Sequence, residues 1–568
     1  MAYTEESTHE NHQDMTQNEI GGNATSEKEM APTKGRLPEP EYVTGFRLAV
    51  IIFTLNLTTL IAALDLGIVA TAIPAITDDF HKLDDIGWYT SICFTLVGAT
   101  SAMWGKLFTY LPTPIVYMSS LLVYIIGSIV AAASPNSIAF IWGRAIQGAG
   151  CSGTLSGSVI IINFISHPRR RPTLIGVWMG CLMMATVLGP LLGGVFTTEV
   201  NWRWCFWINL PIGGLALVMQ VLFLRMPKTV KPVPATWRQI LRHLDFPGFV
   251  LLLSSLICYC LASQWGGISK PWSLCILEYG SDSDGSVVAL MVTFGVLTIV
   301  FFACQYFQGH YAMIPLEFFK PRTIWSQTVF IFVFNSASFI ALTFIPIYFQ
   351  SIKGTTAIMS GVYQLPYVVF YAVGAMLTGV TIGATGHVAP VELAGSLLLV
   401  LGTALIYVMD VDTSKAWFLG AQIPLGLGLG LGNQVPITAL QGFAKPEHVG
   451  VMTGGAFVCQ TISGGYFTTA ANSILQNLLL KRLAIIAPNM NPGIVLAAGA
   501  TEIRRVVSAE ELPFVIESYM TGIRGVFALL LAASVLSVAI AAFIPFKKLP
   551  SHEIQKKDDG AVIEGAAS

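Results

Sequence analysis

Apolar residues come in long runs, each closed by a short polar or charged interval, from about residue 47 to about residue 545. A helix crossing a hydrocarbon core of ~30 Å needs about 20 apolar residues in succession. Fourteen runs qualify, near 47–74, 87–108, 114–134, 137–163, 173–195, 204–225, 246–265, 286–306, 326–349, 357–381, 389–409, 416–440, 450–475 and 522–545. The pattern predicts an all-α integral membrane protein, and an even number of spans puts both chain ends on one side. The first 44 residues are polar and rich in Asn, Gln, Ser and Thr. They lack the apolar core of a cleavable signal and are predicted to be disordered, so the first span must act as its own targeting signal. Residues 476–521 are expected as one long external segment. Within it, Ser508 and Glu511 have capping-box spacing with Pro513 soon after, which predicts a short helix.

Charge gives the orientation. The intervals after even-numbered runs hold Lys106, then Arg169, Arg170 and Arg171, then Lys228, Lys231, Arg238 and Arg242, then Lys320 and Arg322, and finally Lys445. The other intervals hold scattered positives such as Lys82, Lys270, Lys353 and Lys415, and the first of them, TDDFHKLDDI, is acidic. Positively charged loops stay in the cytosol, so both termini are expected there.

Composition agrees with this reading: 54% of residues are hydrophobic and 11% charged, with mean hydropathy +0.66, whereas soluble domains are about 25% charged. A net charge of −1 gives no reason to expect nucleic acid as a partner. The nine cysteines form no CxxC pair, most fall inside apolar runs, and they are expected as small buried hydrophobes. No HExxH occurs and no GxxxxGK[ST], so no metal, no cofactor and no direct use of ATP is expected. With no nucleophile–base cluster in view, an enzyme is the least supported class.

An internal repeat adds information. The fourth run carries RAIQGAGCSGTLSG and the twelfth IPLGLGLGLGNQVPITALQG; the fifth carries GCLMMATVLGPLLGG and the thirteenth TGGAFVCQTISGGYF. WGKLFTYLPTPIVYMSSLL also lines up with LTGVTIGATGHVAPVELAGSLL, Gly105 against Gly379. Small residues are common wherever membrane helices pack closely, so one match means little. Three in the same order favour a duplicated half, with the seventh and eighth runs as an insert.

On these segments the chain resembles the major facilitator superfamily, in its fungal fourteen-span drug:proton antiporter group, which includes mycotoxin and multidrug efflux pumps. The resemblance covers roughly residues 45–546. LDLGIVATAIPAITDDF is similar to the group's first-helix motif and GRAIQGAG to its fourth-helix motif. GVWMGCLMMATVLGPLLGG is similar to the antiporter motif, carried by Gly176, Gly189, Pro190, Gly193 and Gly194. NWRWCFWINLPIGG and FIPIYFQSIKGTTAIMSGVYQLP are also similar to group signatures. The resemblance implies a major facilitator fold: tail 1–44, six-helix half 45–225, linker with two extra helices 226–324, six-helix half 325–546 and tail 547–568. Three departures stand out. GKLFTYLPTP keeps only Gly105 and Lys106 of the charged cytosolic latch; Ala185 stands where the motif often has glycine; and SLCILEYGSDSDG adds about ten residues to a family-like interval, as a loop variation or an exon-boundary error would.

Asp65 in the first run and Arg144 in the fourth are charges that lie deep inside apolar stretches. A charge at mid-bilayer costs ~2.5–3.5 kcal/mol on insertion scales, so it needs a partner or water. At 1.5 Å of rise per residue Asp65 lies about 25 Å from the cytosolic face and Arg144 about 10–12 Å from the outer one. Within a core of ~30 Å those levels differ by roughly 7 Å, which a guanidinium side chain spans. In the resembled family both helices line the central cavity. One reading is a permanent pair that fixes helix register. The other makes Asp65 the proton carrier and Arg144 its partner. For the glycine–proline motif the alternatives are a static kink and a bend that seals the halves against leaks.

The second half offers no buried charge to match. Its polar candidates for cavity or substrate contact are Asn335, Tyr363, Gln364, Asn433, Gln434 and Gln460, with Gln147 in the first half and Tyr367 alongside. Aromatics and amides without charge suit a neutral or weakly polar molecule. The expected function is a proton-coupled exporter of small organic molecules working by alternating access. An importer or uniporter of a nutrient or siderophore-like compound, and a non-transporting membrane sensor, are the alternatives. The expected partners are the lipid bilayer, protons and a small organic substrate. A monomer in the plasma membrane is expected, with a vacuolar or vesicular membrane as the alternative location.

Overall fold

The computed structural model of the protein describes residues 42–82, 85–227, 231–266, 285–488, 490, 495, 503–504 and 506–550. The expected N-terminal tail, most of the C-terminal tail, Lys228, Lys270 and the SLCILEYGSDSDG insertion lie largely or wholly outside these residues.

The order of long helices follows the fourteen apolar runs. They are α1 (Gly45–Phe80), α2 (Ile86–Tyr110), α3 (Thr113–Ala132), α4 (Ser137–Ile165), α5 (Arg171–Val195), α6 (Trp204–Phe223), α7 (Phe246–Trp265) and α8 (Ser286–Gln308). Then come α9 (Arg322–Ser351), α10 (Ile358–Thr385), α11 (Ala389–Tyr407), α12 (Lys415–Asn433, resuming as Val435–Phe443), α13 (Val449–Ile486) and α14 (Leu512–Phe543). Among the described residues, eleven helices are long and apolar enough to cross a membrane. The three long helices outside that set, α2, α12 and α13, carry many small and polar side chains. Their neighbours cover them: Val449–Val458 of α13, for instance, are all buried. A helix shielded from lipid satisfies its own backbone and has less need of an apolar surface.

Local chemistry sets the ends. Asn136 caps α4, its side chain accepting from the Ala139 amide at 2.9 Å, and Ser414 and Thr356 cap two others. Proline opens several helices where no amide donor is needed. Pro436 explains the break in α12, because it cannot donate to the turn before it.

The segment expected as an external loop over 476–521 is shorter than that. Helix α13 continues to Ile486 and α14 already begins at Leu512. The Ser508–Glu511 cap is present, with the Ser508 hydroxyl donating to the Glu511 carboxylate at 2.7 Å and accepting the Glu511 amide at 3.4 Å. It opens the fourteenth span itself rather than a separate short helix. Glu517 and Arg524 interrupt the apolar pattern there, yet both are paired outside the core, Glu517 with Arg482 at 2.5 Å and Arg524 with Asp410 at 3.0 Å.

The same neighbour relation recurs in both halves: α4 packs against α2 and α3, and α12 against α10 and α11. Glycines allow it. A Cβ on Gly143 would meet the Ala131 amide at 2.5 Å, and one on Gly428 the Leu399 amide at 2.5 Å. Between halves, α2 lies on α13 and α5 on α10.

The extra pair α7–α8 covers the α2–α13 seam. Leu252, Leu256 and Phe301 join Ala99 and Ala102 of α2 and Val458 of α13 in one apolar cluster. Tyr259 donates to the Tyr466 carbonyl at 2.8 Å, and Ser473 to the Ser263 carbonyl at 3.0 Å, both ties to α13. At the other end Asp245, in the left-handed region at φ 48°, caps α7 and accepts from the Gly248 amide (2.8 Å), Gln305 (2.7 Å) and the Met313 amide (2.9 Å). Lys106 of α2, only 2% exposed, reaches this knot and donates to the His310 carbonyl at 3.3 Å. The remnant of the charged latch is thus engaged by the flank of the inserted pair.

Candidate functional site

Asp65 and Arg144 form an ion pair in which both side chains are shut from the surface, 1% and 0% exposed. Arg144 donates from Nη1 to Asp65 Oδ2 and, at 2.6 Å, to Gln147 Oε1, and from Nε to the Tyr89 carbonyl at 3.2 Å. Gln147 closes the ring, donating from Nε2 to Asp65 Oδ1 and to Ser128 Oγ, both at 2.8 Å. Asn209 of α6 reaches the same Ser128 hydroxyl at 3.2 Å. One hydrogen-bond network thus links α1, α2, α3, α4 and α6, and both oxygens of the Asp65 carboxyl at its centre are satisfied by α4. Arg144 Nη2 has no hydrogen-bond partner, and the Phe206 ring centroid stands 5.7 Å from Cζ. A buried charge is tolerable only when paired and hydrogen-bonded, and here the pairing of the carboxylate is complete while one guanidinium nitrogen is left facing an aromatic ring. Gln147, expected as a cavity residue, is fully buried and bound into this network.

Gly67, two residues past Asp65, packs on α5. A Cβ there would lie 2.5 Å from the Thr186 carbonyl and 3.1 Å from Pro190 Cδ; one on Gly189 would lie 2.8 Å from Gly67 Cα; one on Gly193 would meet the Ile68 carbonyl at 2.7 Å. Three members of the antiporter motif thus grip the helix that carries Asp65. The other two face the second half: a Cβ on Gly176 would lie 2.5 Å from the Ala375 carbonyl of α10, and the nearest neighbour of a Cβ on Gly194 is Ile358 at 3.9 Å.

In the second half the structure gathers three of the expected amides. Gln460 of α13 donates to Asn335 Oδ1 of α9 at 2.8 Å and to Asn433 Oδ1 of α12 at 3.4 Å. Asn433 donates to the Tyr371 hydroxyl at 2.8 Å, and that hydroxyl points at Met179 of α5, 3.9 Å away. This uncharged polar cluster thereby touches the other half. Gln434 lies beside it at the α12 break, donating to the Ala375 carbonyl at 2.7 Å. Tyr363 and Gln364 stay apart: Tyr363 meets Phe349 edge to face and Phe418 at a tilt, and Gln364 donates to the Leu342 carbonyl at 3.4 Å. Tyr367 is fully buried.

Tyr371, Met179, Ser128, Tyr89 and Asn209 were not singled out from sequence. The second half does hold one ionisable side chain that the sequence reading did not single out as buried: Glu392, 0% exposed in the first turn of α11.

The halves meet unequally. On the face that holds both described chain ends, Gly105 and Gly454 stand 3.1 Å apart, counted from a Cβ on Gly105; a Cβ on Gly379 would lie 2.5 Å from Thr173 Cα, and Asn163 of α4 donates to Gln441 of α12 at 3.0 Å. Towards the other face there is room for a side chain, since a Cβ on Gly98 would lie 3.6 Å from Ile462 and one on Gly361 3.9 Å from Leu191.

Comparison with known proteins agrees with this architecture. Residues 55–468 match the sequence profile of the Major Facilitator Superfamily. The chain is 53% identical to the efflux pump notK of Aspergillus sp. (strain MF297-2), over 93% of this chain and 92% of that protein. It is 50% identical to a dehydrocurvularin exporter of Alternaria cinerariae, over 94% and 91%. Among solved structures, the human organic anion transporter MFSD10 aligns with TM-score 0.55 at 15% identity, over 86% of this chain and 100% of that one.

Proposed function

The chain belongs to the major facilitator superfamily, and on that premise we propose that it exports a neutral or weakly polar organic molecule in exchange for protons, by alternating access. The observation that carries the proton part is the sealed Asp65–Arg144–Gln147 network, placed where α5 grips α1. In the state described here both oxygens of Asp65 accept hydrogen bonds, from Arg144 and from Gln147. When the halves rock and water or substrate enters, the pairing weakens and the carboxylate can take a proton. Arg144 cannot give one up, so it holds the field that draws the proton off again.

The direction of transport is supported by relatives named as efflux pumps and exporters. The uncharged cluster of Asn335, Asn433, Gln460 and Tyr371 suits recognition of a secondary metabolite without formal charge. With the Lys and Arg bias placing the chain ends in the cytosol, the tight face is the cytosolic one, and this conformation is closed toward the cytosol. The protein acts as a monomer in the plasma membrane on this reading.

The test is growth of a pump-depleted yeast expressing the chain, challenged with a panel of toxic compounds, beside Asp65→Asn. Protection that disappears in an equally expressed mutant supports export dependent on Asp65. Sensitisation by the wild type overturns export in favour of uptake, and full protection by the mutant overturns the role of Asp65.

A further inference from the structure

Glu392 is the mirror image of Asp65 in its surroundings. It lies in the first turn of α11 and is wholly buried, yet among the described residues no cation pairs with it. Its one partner is Gln327 of α9, likewise fully buried, which donates from Nε2 to Glu392 Oε2 at 3.1 Å. Two atoms of this pair are left without a partner, Glu392 Oε1 and Gln327 Oε1, and one turn along α11 the Ser396 hydroxyl is also unpaired. Both orphaned atoms in the pair are acceptors. A carboxylate cannot supply what they lack, because it has no donor. An unpaired buried anion is also among the costliest groups a fold can hold. One proton resolves both defects: placed on Oε1 it makes that oxygen a donor and gives Gln327 its missing bond, closing a reciprocal acid–amide pair.

We propose that Glu392 is a second proton-binding site, occupied in this conformation and separate from the Asp65–Arg144 pair. Charged or titratable side chains on the segments that reach this end of the half include Arg322, His387, Lys445, Lys547 and Lys548. Arg322 is turned outward to the Phe543 carbonyl at 3.0 Å, and His387 and Lys548 pair through their backbones. None forms an ion pair with the carboxyl.

The route for a proton is short. Glu392 is one turn from the chain-end face, where Pro390 is exposed and His387 half-buried. The segment after α14 lies across this entrance: the Leu549 amide donates to the Gly386 carbonyl at 3.0 Å, and its side chain joins a cluster with Val388, Val391, Val435 and Ala439. A site with no fixed countercharge differs in kind from Asp65. A proton leaving it exposes a bare charge, so release requires water to enter.

The inference does not depend on the direction of transport, and infrared spectroscopy of the reconstituted protein at neutral pH tests it. A protonated carboxyl gives a C=O stretch that shifts in D2O. The band is expected in wild type and in Asp65→Asn, and lost in Glu392→Gln, whose amide reproduces the donor and so keeps the fold. Gln327→Leu retains the acid but strips its partners, and moves the band to higher wavenumber. A band that survives Glu392→Gln, or one that disappears with Asp65→Asn alone, overturns the proposal; so does a band that Gln327→Leu leaves in place.

Discussion

Gly67 and Gly189 meet backbone to backbone, two residues from the buried carboxylate of Asp65. No side chain fits between them, so the seating of α1 on α5 is set by the absence of atoms. Gly189→Leu is expected to push α1 aside at a cost of about 1–3 kcal/mol and to abolish transport while the protein still reaches the membrane. Gly194→Ala, with nothing nearer than 3.9 Å from its Cβ, should transport normally. Equal behaviour of the two, measured as efflux at matched surface expression, would count against this division of the motif.

Removing one partner of the buried pair leaves the other charge stranded, which costs about 3–5 kcal/mol. Asp65→Asn and Arg144→Gln should therefore each lower the thermal midpoint in detergent. Their combination should recover much of the stability, because no net charge remains, and still fail to couple transport to protons. A double mutant that regains proton-driven efflux would reduce the pair to a register device.

Close backbone contact on the chain-end face makes it a gate with little slack. Thr453 is fully buried there, bonded to Gln441 at 2.8 Å. Gly105→Leu, whose Cβ would meet the Gly450 carbonyl at 2.5 Å, should wedge the halves apart. A cysteine placed at Thr453 should then be labelled from the cytosolic side faster than the same cysteine in an otherwise wild-type chain. Unchanged labelling would mean that the wedge is absorbed within α2.

On the opposite face Asp79 accepts from Arg203 at 2.8 Å and from the Trp202 indole at 3.2 Å. The hydrogen bond from Arg203 holds its carboxyl below the ordinary value of 3.8, against a smaller opposing effect of burial. A lowered folded-state value means the contact stabilises above the unfolded value and is lost as pH falls through the folded one. Both groups are partly exposed, so the gain is at most about 1 kcal/mol. Asp79→Ala should lower the thermal midpoint slightly at neutral pH and not at all in strong acid. A difference that persists in acid would assign the effect to packing.

Much of this was legible because a membrane punishes exceptions. Arg144 and Asp65 are visible in sequence as charges inside apolar runs, and the structure joins them directly. Glu392 escaped notice for the opposite reason: it stands in a first turn beside a loop, where an acidic residue is ordinarily a solvated helix start. Only the tertiary placement of Gln327, 65 residues earlier, shows that it is enclosed. Tyr371 and Met179 carry no sequence signal, since aromatic and methionine side chains fill every span. The long outer ends of α13 and α14 were missed because Lys481 and Arg482 on the one and Glu517 on the other break the hydropathy pattern without breaking the helix.

The pair α7–α8 is fastened to α2 near Lys106 and to α13 near Tyr466. It is therefore a splint laid over one of the two seams along which the halves must part. Rocking cannot leave both fastenings untouched, so one of them has to slip or the splint has to flex. That makes the two seams mechanically unequal, and the freedom of the pump to gape is greater along α5 and α10 than along α2 and α13.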